Sequence, residues 1–499
     1  MSLLTLRERL LSPETALEIS PAITAASAPD LIPLKAPEPL VHFMNRTSFG
    51  IRQSEFIRAN LSGLDAWTEL QLNPESLDDS ALEAAIASNL KSIAMSGTEL
   101  MAAYPPADNK DIVVLSELRL ATMLRQLYSL RQLKEVMVDF WTNHFSVDHP
   151  SSQTLRLSKT LDDRAIRQNA LGKFSDLLFA NAKGVAMQFY LDNYVNVKSA
   201  PQENYSRELM ELHTLGVDGG YTETDVKEVA RAFTGWGFAR GNLQFFFNAR
   251  NHDTDAKTVF GVKLAANRGL EDGEDVLKML AEHSSTAKFI ATKLVKRFVS
   301  DAPPANLVEQ VANSFLRSGG EIKAMLRTIF SSVEFKASAD LKVKRPNEFI
   351  IGALRVTEAA VSGSTYGRAL NSRFEQLGQL YCAWPAPNGY PDSTGYWINT
   401  TAWLSRWNYA FALAEGTLDA GIKINAMALA GTAKTPDALV DGLAERILRR
   451  SLSSLDRATL VATAANGLAV DRSIAAELLP TRAAEVLALL LSSRYFTYR

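Results

Sequence analysis

The sequence predicts a mainly α, multi-helical protein of two or three packed subdomains, with one small β-hairpin insertion. Three observations lead there. Apolar residues recur at helical spacing through most of the chain, as in Leu115, Leu118, Met123, Leu127, Leu130, Leu133, Met137 and Phe140, and that recurrence makes one apolar stripe on a helix. Short β-prone runs, LQFFFN and KTVFG, are confined to the stretch between Phe238 and Gly261, around a polar segment suited to a hairpin. Finally, 499 residues exceed what one hydrophobic core normally organises, so the helices are expected to divide.

Taken in order, residues 1–40 read as a proline-rich N-terminal arm, with Pro13, Pro21, Pro29, Pro33, Pro37 and Pro39 blocking regular structure. Residues 41–237 read as an N-terminal helical domain. Its helices are expected after Ser54, over 61–72 and 80–102, as one long helix or a pair over 111–148, and over 163–182. Residues 238–262 supply the β-hairpin. A central helical region, 263–345, carries helices at 274–282, 285–299, 307–317 and 322–330. Pro346 opens a C-terminal helical domain, 346–499, with a first helix toward 362 and others at 401–416, 436–451, 456–467, 472–477 and 481–492. Within it, WPAPNGYPDSTGYW at 383–396 has the densest turn chemistry and is expected to be an ordered surface loop. One internal echo stands out. The stretch 291–335 and the stretch 444–496 both read helix, loop, helix, helix, Ser-Ser-x-x-Phe; duplication and chance likeness between helical hairpins both account for it.

Bulk properties exclude several classes. Hydrophobic residues make up 46% and charged residues 22%, an ordinary globular balance. A formal net charge of −2 argues against a nucleic-acid partner, because no broad cationic excess exists to neutralise phosphates. No apolar run reaches the ~18 residues of a membrane span. The lone Cys382 excludes an internal disulfide framework and cysteine-based metal clusters. Arg7, Glu8 and Arg9 interrupt the apolar N-terminus where a secretory signal needs continuity, so the chain as given reads as cytoplasmic. The basic stretches at 293–298, 342–346 and 446–450 are expected to be solvated helix faces.

The chemistry concentrates in ENYSRELMELHTLGVDGGYTETDVKEVARAFTGW, residues 203–236, read as helix, glycine-rich turn, helix. Asn204, Glu208 and Glu211 share one helical face, with Glu203 and Arg207 beside them and Tyr205, Leu209 and Leu212 opposite. Thr222 and Asp225 have capping-box spacing, and Glu223, Lys227 and Arg231 follow at i, i+4.

This segment resembles the hallmark of the bacterial domain of unknown function 1800 family. Further pieces resemble that family in the same order: HFMNRTSFG from His42, DFWTNHFSV from Asp139, NALGKFSDLL from Asn169, YLDN from Tyr190, NHDTDAKTVFG from Asn251, FIATKLVKRFVSD from Phe289, VKRPNEF from Val343, PAPNGYPD from Pro385 and LSRWNYA from Leu404. The likeness spans roughly residues 40–499. It implies a mostly helical bacterial protein, often encoded beside a member of the domain of unknown function 1501 family, which is the partner it suggests. It implies no particular reaction. Relatives are often exported, so a periplasmic or exported location follows if a signal has been removed.

Of six histidines, His42, His144, His213 and His252 fall inside these family-like motifs. Imidazoles and carboxylates together suit zinc, iron or manganese, and facing helices can assemble such a site. One reading therefore places a divalent metal on His144, His213, His252 and Asp253, with Glu208 and Glu211 as catalytic carboxylates and Arg207 orienting one of them, in a hydrolase for a polymer or glycan. Against it, His213 lies about 160° from Glu211 on a helical wheel, and no spacing matches a defined metal signature. A second reading is a metal-free glycosidase using Glu208 and Glu211 as acid and base, with Trp141, Trp236, Trp397, Trp403 and Trp407 as sugar platforms or as core. A third is a non-enzymatic accessory protein for a partner encoded nearby. In the plainest reading, Glu203, Arg207, Glu211, Glu223 and Lys227 form exposed i, i+4 pairs worth ~0.3–0.5 kcal/mol each, and the histidines are satisfied core groups.

Overall fold

The computed structural model describes residues 35–105, 110–148, 152–363 and 365–499, so most of the expected proline-rich arm lies outside the described residues. Among the described residues the structure is 62% helical, with 26 α-helices, and the strands form three two-stranded antiparallel sheets. The mainly α class with small hairpins is therefore correct. No helix among the described residues is long and apolar enough to cross a membrane. The chain divides into two compact units that are discontinuous in sequence, unlike the consecutive segments read from it. Among the described residues, one comprises 64–338 with 379–393; the other comprises 35–63, 339–378 and 394–499.

The unit built on 64–338 begins with short helices and then α1 (Ile112–Tyr128), α2 (Gln132–His144), α3 (Gln153–Asn169) and α4 (Phe174–Ala182). The expected helix over 80–102 is three pieces, Ser80–Asn89, a 3-10 turn at Lys91–Ala94, and Gly97–Ala103. Ser96 and Glu99 form a capping box that restarts the last one, because two otherwise orphaned N–H groups find acceptors there. Residues 163–182 are likewise split between α3 and α4. Buried charge ties these helices together: Arg167 donates to Glu135 on α2 at 2.7 Å and to Asp163 on its own helix at 2.7 Å. Such a network is expensive to break, since removing one member strands the others away from water.

Next come α5 (Glu203–Glu208), which runs into a π-turn at Leu209–Thr214, and α6 (Glu223–Ala232). Thr222 and Asp225 form the predicted capping box at the start of α6. The β region is two successive hairpins rather than one. β1 (Trp236–Ala239) pairs with β2 (Gln244–Phe247), and β3 (Lys257–Val259) pairs with β4 (Val262–Leu264). Each β-prone run read from the sequence pairs with its own neighbour, which needs only a short loop closure. Then α7 (Glu271–Glu282) precedes a helical triplet, α8 (Ser284–Phe298), α9 (Ala305–Ser318) and α10 (Ile322–Ser331), in which each helix packs on the other two or on α9.

The second unit contains α11 (Pro346–Val356) and ends in another triplet, α12 (Pro436–Leu448), α13 (Ser454–Ala465) and α14 (Leu479–Ser492). Proline opens both α11 and α12, where its missing N–H costs nothing. A buried fork fixes α11: Arg355 donates to both oxygens of Glu55, at 2.7 and 2.6 Å. A helix at Tyr366–Gln376 was not predicted, and the one expected over 472–477 is absent. The basic stretches are not solvated faces: Arg297, Lys342, Lys344, Arg345, Arg449 and Arg450 are all buried.

Candidate functional site

The π-turn is the local feature that shapes the site. Leu215 N–H reaches back five residues to Met210 O at 2.8 Å, and the Thr214 hydroxyl donates to Leu209 O at 2.7 Å. One extra residue per turn re-aims the side chains after Leu209, and such turns recur at functional sites. Gly216 ends it with φ of +82°, and a Cβ there would stand 2.9 Å from Cδ2 of Phe289. Both the torsion and the close approach require glycine.

The re-aimed segment carries His213 inward. Its side chain is fully buried, and neither ring nitrogen has a hydrogen-bond partner among the described residues. Burial, and then the nearby Lys293 charge, pull its pKa down to about 3. His144, at the end of α2, is also buried. Its Nε2 lies 3.1 Å from the His213 carbonyl oxygen, and its Nδ1 lies 2.8 Å from Lys293 Nζ. A carbonyl can only accept, so Nε2 carries the proton and Nδ1 accepts from the lysine. Burial, with Lys293 next, holds the His144 pKa well below the ordinary 6.5, so both imidazoles are neutral. Aromatic rings close around them: Phe145 has its centroid 4.5 Å from His144 and 5.3 Å from His213, and Phe289 lies 6.3 Å from His144.

Lys293, on α8, is the cation of this cluster and retains partial exposure. Burial lowers its pKa to about 8, against the opposing charge of Asp392. Asp392 arrives on the 379–393 loop, which α2 holds by a two-point amide contact. Asn143 Nδ2 donates to Tyr390 O at 2.9 Å, and Tyr390 N–H donates to Asn143 Oδ1 at 2.7 Å. Tyr190 OH donates to Pro385 O at 2.9 Å on the same loop.

Glu208 and Glu211 lie at the surface of α5 and its π-turn, each partly exposed. Neither forms a hydrogen bond or an ion pair among the described residues. The Glu208 pKa is raised, by burial first and by Glu211 second, while Arg207 opposes. Two tyrosines stand close enough to feel these carboxylates. Burial, with Asp148 and Glu208 behind it, raises Tyr190 to about 12. Tyr221 is raised by burial and then by Glu211. Arg207 is committed elsewhere: its guanidinium pairs with both oxygens of Glu223 at 2.8 Å and reaches Glu203 at 3.4 Å. It ties α5 to α6 rather than orienting Glu208 or Glu211, and the i, i+4 partner expected for Glu223, Lys227, makes no such bond.

His252 and Asp253 belong to a different network. Nδ1 of His252 donates to Thr234 O at 2.8 Å, and its Nε2 lies 3.3 Å from Asp272 Oδ2, which also accepts from Lys257 at 2.8 Å. Asp253 accepts from Arg231 at 2.7 Å, and this bond prevails over burial to hold its pKa below normal. Thus His144 and His213 meet each other and Lys293, while His252 and Asp253 pin α6, β3 and α7. Among the described residues no group of three or more His, Cys, Asp or Glu side chains is placed to hold a metal ion, so the six candidate residues do not fit one divalent ion. Of the tryptophans, Trp141, Trp236 and Trp397 are buried core.

Lys293, Asp392, Tyr190 and Tyr221 were not singled out from the sequence. Their only signal was membership of the family-like segments or of turn-rich stretches. No curated protein and no solved structure matches the chain. The profile of the family described as Protein of unknown function (DUF1800) matches residues 42–498, and the chain belongs to that family.

Proposed function

We propose that the protein is a hydrolase acting on a glycan or related polymer, with Glu208 as general acid and Glu211 as the second carboxylate. The observation that carries this reading is Glu208 itself: a half-buried carboxyl with raised pKa and no ion pair, three residues from a second free carboxylate. A structural carboxylate is normally tied down by a donor, as Glu55 and Glu135 are here. A carboxyl that holds its proton more tightly than usual, next to a second carboxyl, is the kind of pair that glycoside cleavage uses. Tyr190 and Tyr221 stand close enough to the pair to feel its charge and could bear on a bound sugar. The metal-dependent form of this reading has less support, since its ligand set is not assembled.

The test is hydrolysis of a panel of fluorogenic aryl glycosides and of cell-wall polysaccharide by the full chain. Glu208→Gln and Glu211→Gln are each expected to lower the rate by about 100-fold or more, with Glu203→Gln near wild type. The rate should fall as pH rises through the raised Glu208 pKa. Turnover that survives both substitutions, or no turnover on any member of the panel, overturns the reading.

A further inference from the structure

We propose that Lys293 is a nucleophilic amine that forms an imine with a small uncharged aldehyde or ketone, at a site separate in role from Glu208 and Glu211. Three features of the geometry converge on it. Lys293 is half-buried as a residue, so its side chain is not sealed on every side. One of its N–H bonds is committed to His144 Nδ1 at 2.8 Å. Because the His213 carbonyl fixes the His144 tautomer, that nitrogen can only accept, and the lysine cannot turn its lone pair toward it. In the free amine the lone pair therefore points away from the imidazole. The amine also sits by the Phe289 ring, 5.3 Å from its centroid, and beside two neutral imidazoles, where an ammonium is poorly solvated. A desolvated lysine next to apolar walls is a recurring way to make an amine nucleophilic at neutral pH. His213, whose two ring nitrogens are buried and unsatisfied, adds a second imidazole near enough to feel the lysine's charge. The carboxylate of Asp392 on the facing loop disfavours an anionic ligand, and this sets the substrate class as uncharged.

In the step itself the lysine nitrogen adds to the carbonyl carbon and the oxygen takes up one proton from the nitrogen, giving a carbinolamine whose hydroxyl then takes the nitrogen's second proton. Departure of that oxygen as water leaves the C=N bond. No oxidant or reductant is consumed.

The experiment is reductive trapping of the full-length protein with benzaldehyde and cyanoborohydride near pH 8, followed by peptide mapping. Lys293 is expected to be modified roughly tenfold faster than exposed lysines such as Lys336, the margin that a lowered pKa leaves after its weaker intrinsic basicity is allowed for. Lys293→Arg should abolish the preferred label without altering the others. His144→Phe, which removes the acceptor but keeps a ring among rings, should bring Lys293 back toward the common rate. Modification of wild-type Lys293 within about twofold of the exposed lysines overturns the proposal, whether or not any variant folds. Because the label is read on the amine and not as polymer hydrolysis, it is independent of the fate of the Glu208 and Glu211 reading.

Discussion

The two helical triplets, one in each unit, follow the same plan and treat the same position in opposite ways. In both, three helices are succeeded by Ser-Ser and a single short helix, Val333–Lys336 in one and Arg494–Thr497 in the other, whose phenylalanines Phe335 and Phe496 are buried. Aligning the echo puts Lys293 of α8 against Arg446 of α12, and Arg297 against Arg450. Arg446 meets a carboxylate, Glu358, at 2.8 Å, and Arg450 forks onto Asp340 at 2.7 and 2.9 Å. Lys293 instead meets a neutral imidazole. A structural cation in a helical core is normally matched by an anion, because desolvating it alone is costly. The triplet adjoining the π-turn and its two histidines gives its cation an imidazole as hydrogen-bond partner, with the Asp392 carboxylate acting on it from the 379–393 loop. The departure is thus local and chemical, not architectural.

The comparison can be broken at three places. The largest effect is expected at Arg450, nearly buried on a bidentate carboxylate: Arg450→Met should cost about 3 kcal/mol in chemical denaturation, since it leaves Asp340 without its partner. A cost below about 1 kcal/mol would mean that the second triplet does not depend on charge matching. Next is the pH dependence at Lys293. An amine with pKa near 8 in the fold and 10.5 when unfolded binds fewer protons folded than unfolded between those values. Stability should therefore climb with pH over that window, by on the order of 2 kcal/mol relative to Lys293→Met, whose curve lacks the group. Parallel curves for the two proteins would show that Lys293 titrates normally. The smallest effect belongs to Arg446. Its pair with the more exposed Glu358 should be worth about 0–1 kcal/mol, screened by salt, so Arg446→Met should shift the denaturation midpoint little.

Much of the fold was legible because its causes are local. Helical periodicity located α1 and α2, α8 through α10 and α12 through α14, and the Thr222–Asp225 capping box was readable from two letters. Where the reading failed, a short-range feature was outvoted. The helix over 80–102 breaks because a capping box restarts it at Ser96, and the two β runs choose near neighbours over each other. The basic stretches misled for a different reason. Arginine at a helical position looks the same whether it faces water or a carboxylate 110 residues away, as Arg450 faces Asp340. The site was half legible. The segment 203–236 was recognised, with both glutamates and His213, and a regular wheel already places His213 about 160° from Glu211, but the π-turn that fixes its surroundings has no sequence signature.

What the chain determines unaided is the set of elements, through interactions that span four or five residues: stripes, caps, turns and the glycine that ends the π-turn. Which groups then meet is a tertiary matter. His144 and the His213 carbonyl are 69 residues apart and Lys293 is 149 from His144, while His252, equally plausible in the sequence, is drawn instead to Thr234 and Asp272. Periodicity specifies the face that a side chain occupies on its own helix, but the neighbour presented to that face depends on how whole helices pack. Only that packing puts an amine against a neutral imidazole where its counterpart in the other triplet finds an acid.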